Sequence, residues 1–237
     1  MKNIIIIPTY NEKDNVPVIL KKIFDFVPDT KVLIVDDNSP DKTWEVAENL
    51  KARYPNLDVM IRKTEKGLSK AYIDGFKKVL LDHDVETVTM MDCDLSHNPK
   101  YLPDMLKLSK DYGLIIGSRY IKGGGVTDKW ERWRKVLSRG ANIYLSIIFR
   151  RFVRDWTGGF NVIKKETLQK IDLDKPSTDG YAFIPSLKYY LLKTKATLKE
   201  YPIIFEERES GESKMSSSII KDGVISPWKI VFKDLFH

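Results

Sequence analysis

Four isoleucines stand in a row at Ile4 to Ile7, directly before Pro8-Thr9-Tyr10-Asn11-Glu12. Side chains on a strand point alternately to its two faces, so an unbroken β-branched run is apolar on both and must be covered on both. That selects a central strand sandwiched between helices and excludes a sheet with a solvated face. Similar short runs recur at Lys31 to Val35, Leu57 to Ile61, Glu86 to Met91 and Leu114 to Ile116. Segments of helical period lie between them: Asp14 to Phe26, Asp41 to Tyr54 with Asp41 as N-cap, Gly67 to Leu81 and Tyr101 to Ser109. Strands alternating with helices at this spacing predict an α/β chain with a mostly parallel, doubly wound sheet. The 237 residues suit one large domain or a domain with a small extension.

The second half is less regular. Lys122 to Gly125 reads as a flexible loop, and Lys129 to Phe149 as a long helix. Trp133, Val136, Leu137, Tyr144, Ile147 and Ile148 mark one face of that helix, with Arg132, Lys135, Arg139, Asn142, Ser146 and Arg150 opposite. A basic amphipathic helix of this kind suits a membrane interface or an anionic groove. A glycine-bearing loop at Asp155 to Gly159, a strand at Phe160 to Ile163, a loop entering a helix over Asp179 to Leu192 and a strand at Thr197 to Phe205 follow. Glu206 to Ser218 is polar and aperiodic, predicting a mobile loop, and the apolar residues of Ile219 to Phe236 either pack on the domain or lie on a bilayer.

Charge narrows the partner. The net charge is +7, from 40 basic and 33 acidic residues. Between Lys122 and Arg154 there are nine basic residues and two acids, so that one segment carries the whole excess. An anionic partner is implied: phosphates, an acidic membrane face or nucleic acid. The single cysteine, Cys93, excludes a disulfide framework and fits a reducing compartment. The opening apolar run is too short for a signal peptide, and none approaches the ~20 residues that span a bilayer. The expectation is a cytoplasmic chain, soluble or peripheral on a membrane.

Acids close three of the strands: Glu12 after the first, Asp36-Asp37 after the second, Asp92-Cys93-Asp94 after the fourth. In a parallel sheet those ends share one edge, where ligands bind. Asp92 and Asp94, two residues apart on extended chain, point to the same side and repel each other unless a cation lies between them. A hard divalent ion such as Mg²⁺ or Mn²⁺, brought in on a diphosphate, suits oxygen ligands. The motif predicts a metal–diphosphate site in a nucleotide-sugar enzyme; two solvated acids at a strand end are the plain alternative.

IIIIPTYNE, VDDNSPD, MDCDLSHNP and GSRY, in this order, resemble a family 2 glycosyltransferase of the GT-A (Rossmann-like) fold. SRGAN at Ser138 to Asn142, DWTGGF at Asp155 to Phe160 and ESGESK at Glu209 to Lys214 narrow the resemblance to the dolichyl- or polyprenyl-phosphate mannose synthases of the soluble catalytic subunit type. It extends from Asn3 to about Lys214, and implies a catalytic domain over residues 1–218 and a C-terminal extension, 219–237, of interfacial character. The implied reaction moves mannose from GDP-mannose to a polyprenyl or dolichyl phosphate in a membrane, with Mg²⁺ or Mn²⁺ as cofactor. A small membrane-anchoring subunit is a further candidate partner, and nucleic acid is not expected.

By the same resemblance, Pro8, Tyr10 and Glu12 contact the nucleoside, with Val35 and Asp37 beside base and ribose. Asp92, Cys93 and Asp94 lie at the diphosphate, Asp94 as main metal ligand, Asp92 near sugar or metal, and Ser96 completing the metal shell. Arg119, Arg134 and Ser138 hold the acceptor phosphate, and Arg208 and Lys214 close over the donor. Asp92, Asp94 and Arg119 form the implied catalytic set. Cys93 departs from the family's usual Ala, at a position expected to contribute backbone only.

Elementary chemistry agrees with this set. A phosphate acceptor is already an anion and needs no Ser-His-Asp relay. Of His83, His97 and His237, only His97 is near the motif, where it reads as a turn residue. The demand is electrostatic: cations on the leaving diphosphate, and guanidinium forks on the attacking phosphate. Rivals are a transferase using UDP-glucose or another UDP-sugar, a phosphohydrolase with Asp92 as nucleophile, and a nucleic-acid module built on the basic segment.

Overall fold

The computed structural model describes residues 2–63, 66–127, 131–176, 182–206 and 217–235, with backbone alone for 217–222 and 235. In chain order the elements are β1 (Asn3–Thr9), α1 (Asn15–Phe26), β2 (Lys31–Asp36), α2 (Thr43–Leu50), β3 (Leu57–Ile61), α3 (Leu68–Leu80) and β4 (Thr87–Met90). A 3₁₀ turn, Pro99–Tyr101, leads into α4 (Leu102–Leu108), β5 (Leu114–Ser118), β6 (Gly125–Val126) and α5 (Arg132–Ile148). The chain continues through β7 (Asn161–Lys164), α6 (Lys165–Leu168), α7 (Phe183–Lys193), β8 (Leu198–Pro202), β9 (Ile204–Phe205) and α8 (Ser217–Leu235).

Seven strands form the central sheet in the order β3-β2-β1-β4-β7-β5-β8. The isoleucines of β1 divide as strand geometry requires. Ile4 and Ile6 join one core with Tyr72 and Phe76 of α3, Leu145 of α5, Phe183 and Leu187 of α7 and Ile230 of α8. Ile5 and Ile7 join the opposite core with Val16, Ile19 and Leu20 of α1, Ala47 of α2 and Met105 of α4. Both faces are covered, as the run predicted.

Only β7 runs against the rest, antiparallel to β4 and β5. After β5 ends at Ser118, the chain builds β6 and α5 and approaches β7 from the edge where β5 finished. It must therefore descend through the sheet. β6 lies in the segment expected as a flexible loop, and it pairs with β9 to form a separate two-stranded ribbon.

The long basic helix inverts one expectation. Asn142 and Ser146, expected on its outer polar face, point inward: Asn142 is buried and the Ser146 hydroxyl donates to the Val153 carbonyl (2.7 Å). Trp133, Val136, Ile143 and Ile147 are 54–71% exposed. The inward face is mixed: Leu145 packs in the apolar core with Tyr144 and Ile148 against it, as expected of those two, while Asn142 binds the backbone of the 155–159 loop. α8 packs on α5 and α7, with the Tyr144 hydroxyl donating to the Val224 carbonyl (2.7 Å) and Lys193 paired with Asp234 (2.5 Å). Of the two expectations for this terminal segment the structure takes packing on the domain, while Val224, Trp228 and Phe232 remain exposed. No helix among the described residues is long and apolar enough to cross a membrane.

Candidate active site

The loops after β1, β2 and β4 each carry a non-glycine residue in the left-handed region: Asn11 (φ 59°), Asn38 (φ 51°) and Leu95 (φ 65°). Asn tolerates that region; a buried Leu does not without surrounding constraint. Constraint is present at each turn. Asp36 accepts from the Thr9 hydroxyl (2.7 Å), Ser39 N (2.8 Å) and the Ser39 hydroxyl (2.7 Å), which ties the first two loops together. Pro8 and Val35 are register partners across β1 and β2. Glu12 is half-buried and accepts from the Asn15 amide side chain (2.5 Å). Tyr10 is 41% exposed, with the Lys66 ammonium 4.4 Å from its ring centroid.

Asp37 is buried and paired with Arg62, which in turn donates to Asp74 (2.7 Å). Its second oxygen accepts from Gly67 N (2.7 Å), and Gly67 has φ +143°, outside the usual range of a side-chain-bearing residue. Asp41 is not the N-cap expected of it: α2 starts at Thr43 with Lys42, in the left-handed region, at the cap position, and Asp41 one residue earlier accepts from the Thr43 amide (3.0 Å) and hydroxyl (2.6 Å).

The Asp92–Asp94 turn is built on side chains. Ser96 donates to Asp94 Oδ1 from both its amide (3.1 Å) and its hydroxyl (2.5 Å). Ser96 is fully buried, and in this arrangement its hydroxyl orients Asp94. His97, 1% exposed, accepts at Nδ1 from Asp92 N (3.0 Å), stacks on Phe160 and meets the edge of Phe205. With Nδ1 accepting, the 3.7 Å approach of Asp92 Oδ2 is a contact and not an ion pair. The Asp92 side chain is 33% exposed. Burial, then the nearby charges of Glu12, Asp94, Asp92 and Asp36, push the Cys93 thiol well above its ordinary range. The three acidic strand ends therefore converge, and Cys93 is no nucleophile. No group of three or more His, Cys, Asp or Glu among the described residues could hold a metal as a closed cage. Two carboxylates on one turn fit a hard cation that takes its remaining oxygens from a bound diphosphate.

Arg119 follows β5 and faces the same edge. It is 7% exposed and grips Asp155 through Nε (2.8 Å) and Nη2 (2.7 Å), with Nη2 also donating to Thr157 (2.7 Å). Burial works to strip the guanidinium of its charge, but Asp155 outweighs it and holds it protonated. A β-carbon at Gly159 would lie 3.3 Å from His97 Cε1 and 3.7 Å from each Asp92 oxygen. The 155–159 loop thus links the Asp92 turn to the Arg119 side chain, and Phe205 packs against both His97 and Arg119. Asn142 of α5 accepts from Trp156 N (2.6 Å) and Thr157 N (3.2 Å), fastening the helix to this loop. Ser138 lies one turn earlier and accepts from the Tyr120 hydroxyl (2.6 Å); Arg134, half-buried, lies one turn before that.

Residues 4–172 match glycosyl transferase family 2. The chain belongs to this family. It is 38% identical over 226 residues to the undecaprenyl-phosphate mannosyltransferase of Micrococcus luteus, covering 95% of this chain and 92% of that one. It is likewise 38% identical to the polyprenol monophosphomannose synthase of Mycolicibacterium smegmatis, covering 97% and 87%. Among solved structures, glucosyl-3-phosphoglycerate synthase of Mycobacterium tuberculosis, in complex with Mn²⁺, UDP and glucosyl-3-phosphoglycerate, superposes with TM-score 0.65 at 12% identity, over 98% of this chain and 79% of that one. A mannosyltransferase of Pyrobaculum calidifontis in complex with GDP-Man and Mn²⁺ gives TM-score 0.59 at 17% identity, over 90% and 58%. These two share the α/β fold.

The transferase brings Asp92, Asp94, Cys93, Glu12, Asp37 and Arg119 to one edge of the sheet. Arg208 and Lys214 lie outside the described residues, as does the start of the helix expected from Lys129. Glu206, the last residue before that stretch, donates from its backbone to the Ser96 carbonyl (3.1 Å) and accepts from Asn98 (2.8 Å), so the segment leaves from beside the Asp94 turn. Sequence reasoning missed Arg62, Asp155 and Lys188. Asp155 stood inside a motif that was noted but given no task. Lys188 carried a signal, a single lysine within the apolar helix FIPSLKYYLL.

Lys188 is 1% exposed and donates to the carbonyls of Asp155 and Gly158, both at 2.8 Å. Burial, only partly offset by Asp155, pushes its ammonium down to about 7 from 10.5. The folded protein therefore releases a proton that the unfolded chain keeps between those two values. Stability from this group is lowest below pH 7 and grows as pH rises toward 10.5. Relative to Lys188→Met, the native protein is expected to gain on the order of 1–2 kcal/mol between pH 7 and 9, read by urea unfolding. A difference independent of pH would rule the shift out.

Proposed function

We propose that this chain transfers mannose from GDP-mannose to a polyprenyl phosphate, releasing GDP. The observation that carries this reading is a juxtaposition: the Gly158–Gly159 turn lies against the Asp92 carboxylate on one side and against Asp155, which holds Arg119, on the other, and Arg119 feels the charge of Asp92. Carboxylates suited to a metal-bound leaving group thus face a guanidinium suited to an attacking phosphate. The names of the two 38% identical relatives support mannose and a polyprenyl phosphate as the groups that meet there.

In this reading Pro8, Tyr10, Glu12, Val35 and Asp37 hold the nucleoside. The backbone at Cys93 and the Asp92 and Asp94 carboxylates border the diphosphate, with Ser96 holding Asp94. A divalent cation at Asp92 and Asp94, Mg²⁺ or Mn²⁺, would supply neutralisation of charge on the leaving GDP. Arg119, Arg134 and Ser138 orient the acceptor phosphate, whose oxygen attacks the anomeric carbon from the face opposite the diphosphate. One displacement inverts that centre, α donor to β product, and no general base is needed. Arg208 and Lys214 would close over the donor. Residues 1–218 are the catalytic body and 219–237 an extension that places Trp228 and Phe232 at the cytosolic face of a membrane, with or without a small anchoring partner.

The test runs GDP-mannose and UDP-glucose side by side with a short-chain prenyl phosphate. Turnover with GDP-mannose is expected to exceed that with UDP-glucose at least tenfold, and chelation by EDTA to lower it at least 100-fold, restored by Mg²⁺ or Mn²⁺. Turnover with UDP-glucose alone would move the chain to the polyprenyl-phosphate glucosyltransferase reading. Full activity in EDTA would remove the metal.

A further inference from the structure

A basic cavity starts beside Ser138 and runs along α5 away from Arg134. It measures about 660 Å³ and opens beside the C-terminal half of α5, with apolar walls from Tyr120, Ile143, Ile147 and Phe152. Arg139, Arg150, Arg151 and Arg154 ring it. Among the described residues none of these four pairs with a carboxylate. Two acids beside this segment are engaged elsewhere: Asp155 is gripped by Arg119, and Glu200 accepts from the backbone N–H groups of Arg154 and Asp155 (both 3.1 Å). Phe152 is 80% exposed with the Arg154 guanidinium 5.4 Å from its ring centroid. Arg150 sits in the left-handed region (φ 50°), where a residue other than Gly or Asn is disfavoured. That turn ends α5 in a Schellman-type stop, with Arg151 N donating to the Ser146 carbonyl (3.2 Å), and Phe152 follows it.

We propose that this cavity binds the headgroups of bulk anionic phospholipids, as a site separate from the acceptor phosphate. The inference deepens the membrane-facing part of the function proposed above, and rests on it. Distance decides the separation. Tyr120 and Arg139 border the acceptor residue Ser138, with the Tyr120 hydroxyl donating to it (2.6 Å). Arg150 follows Ser138 by 12 residues, about 18 Å at helical rise, so one acceptor phosphate cannot touch both ends of the cavity. The rest of a prenyl chain is uncharged and offers the far arginines nothing. A bilayer offers both requirements together: phosphates for the arginines, and an apolar boundary for Phe152, Ile143, Ile147 and the exposed Trp133 and Val136 on the same helix. A polynucleotide would match the charges and leave these aliphatic side chains in water.

The experiment measures binding of the full chain to vesicles of phosphatidylcholine alone and of phosphatidylcholine with phosphatidylglycerol, without donor or acceptor. Each basic residue at an anionic surface contributes roughly a fivefold factor. The native protein is expected to prefer anionic vesicles at least tenfold, and to lose that preference in high salt. Arg150→Gln/Arg151→Gln/Arg154→Gln is expected to lower anionic-vesicle affinity on the order of 100-fold, and Arg151→Gln alone about fivefold. All three side chains are exposed, and unchanged circular dichroism confirms the fold. KM for a short-chain prenyl phosphate, measured without vesicles, is expected to stay within twofold in the triple variant. Native-like vesicle binding by the triple variant overturns the proposal. So does a tenfold rise in that KM, which would assign the cavity to the acceptor, or equal affinity for single-stranded RNA at the same salt. Anionic-vesicle binding by a chain that transfers no mannose would retain this site and discard the enzymatic reading.

Discussion

Asp155→Ala is expected to cost about 3–5 kcal/mol of folding stability and to take transfer below detection. Asp155 has no solvent exposure. Its carboxylate accepts from the Arg119 backbone (2.9 Å), from two guanidinium nitrogens and from Gly158 N (2.9 Å). Truncating it leaves Arg119 charged and buried without a carboxylate, and frees the turn that carries Gly159 past Asp92. Urea unfolding reads the first loss and transfer assays the second. A paired replacement separates them. Arg119→Met/Asp155→Leu removes both charges and is expected to recover most of the stability, because well-packed apolar groups replace a buried ion pair at little cost. Transfer should stay absent, since the guanidinium is gone. A loss below about 1 kcal/mol in Asp155→Ala would mean that water reaches Arg119 and that the pair is not a buried support.

Asp94→Asn is expected to lower kcat on the order of 1,000-fold with stability changed by less than about 1 kcal/mol. The amide keeps an oxygen to accept from Ser96, so the turn holds its shape while its charge is lost. Asp36 provides the contrast. It is equally buried, but Thr9 and Ser39 occupy its oxygens. Asp36→Asn should therefore register in unfolding before it registers in the chemistry. Should Asp94→Asn retain a tenth of native turnover, the carboxylate pair is not the metal's seat.

Much of this was readable from the chain. The isoleucines of β1 fixed a sandwiched central strand because alternation leaves no other place for four of them. The acids at Glu12, Asp37 and Asp92 marked the working edge because a parallel sheet collects its strand ends there. What stayed hidden depended on contacts distant in sequence. Arg62 meets Asp37 across 25 residues and Arg119 meets Asp155 across 36, and no local pattern records such pairings. The outward face of α5 was misjudged for a related reason. Hydropathy along a helix assigns polar stripes to water, but here Asn142 turns inward to satisfy backbone N–H groups of a loop, which only the tertiary fold supplies.

The reversed strand β7 makes the two halves of the cleft inseparable. Met90 and Asn161 are neighbours in the antiparallel ladder between β4 and β7, so the turn bearing Asp92 and the turn bearing Asp155 spring from one pair of adjacent rungs. Slipping that ladder by one place would make Val162 and Ile163 exchange cores, so a residue inserted between Gly159 and Asn161 would have to bulge into the 155–159 turn and disturb donor and acceptor geometry in one step. Additions where β7 hands over to α6, at the sheet's opposite end, would leave both intact.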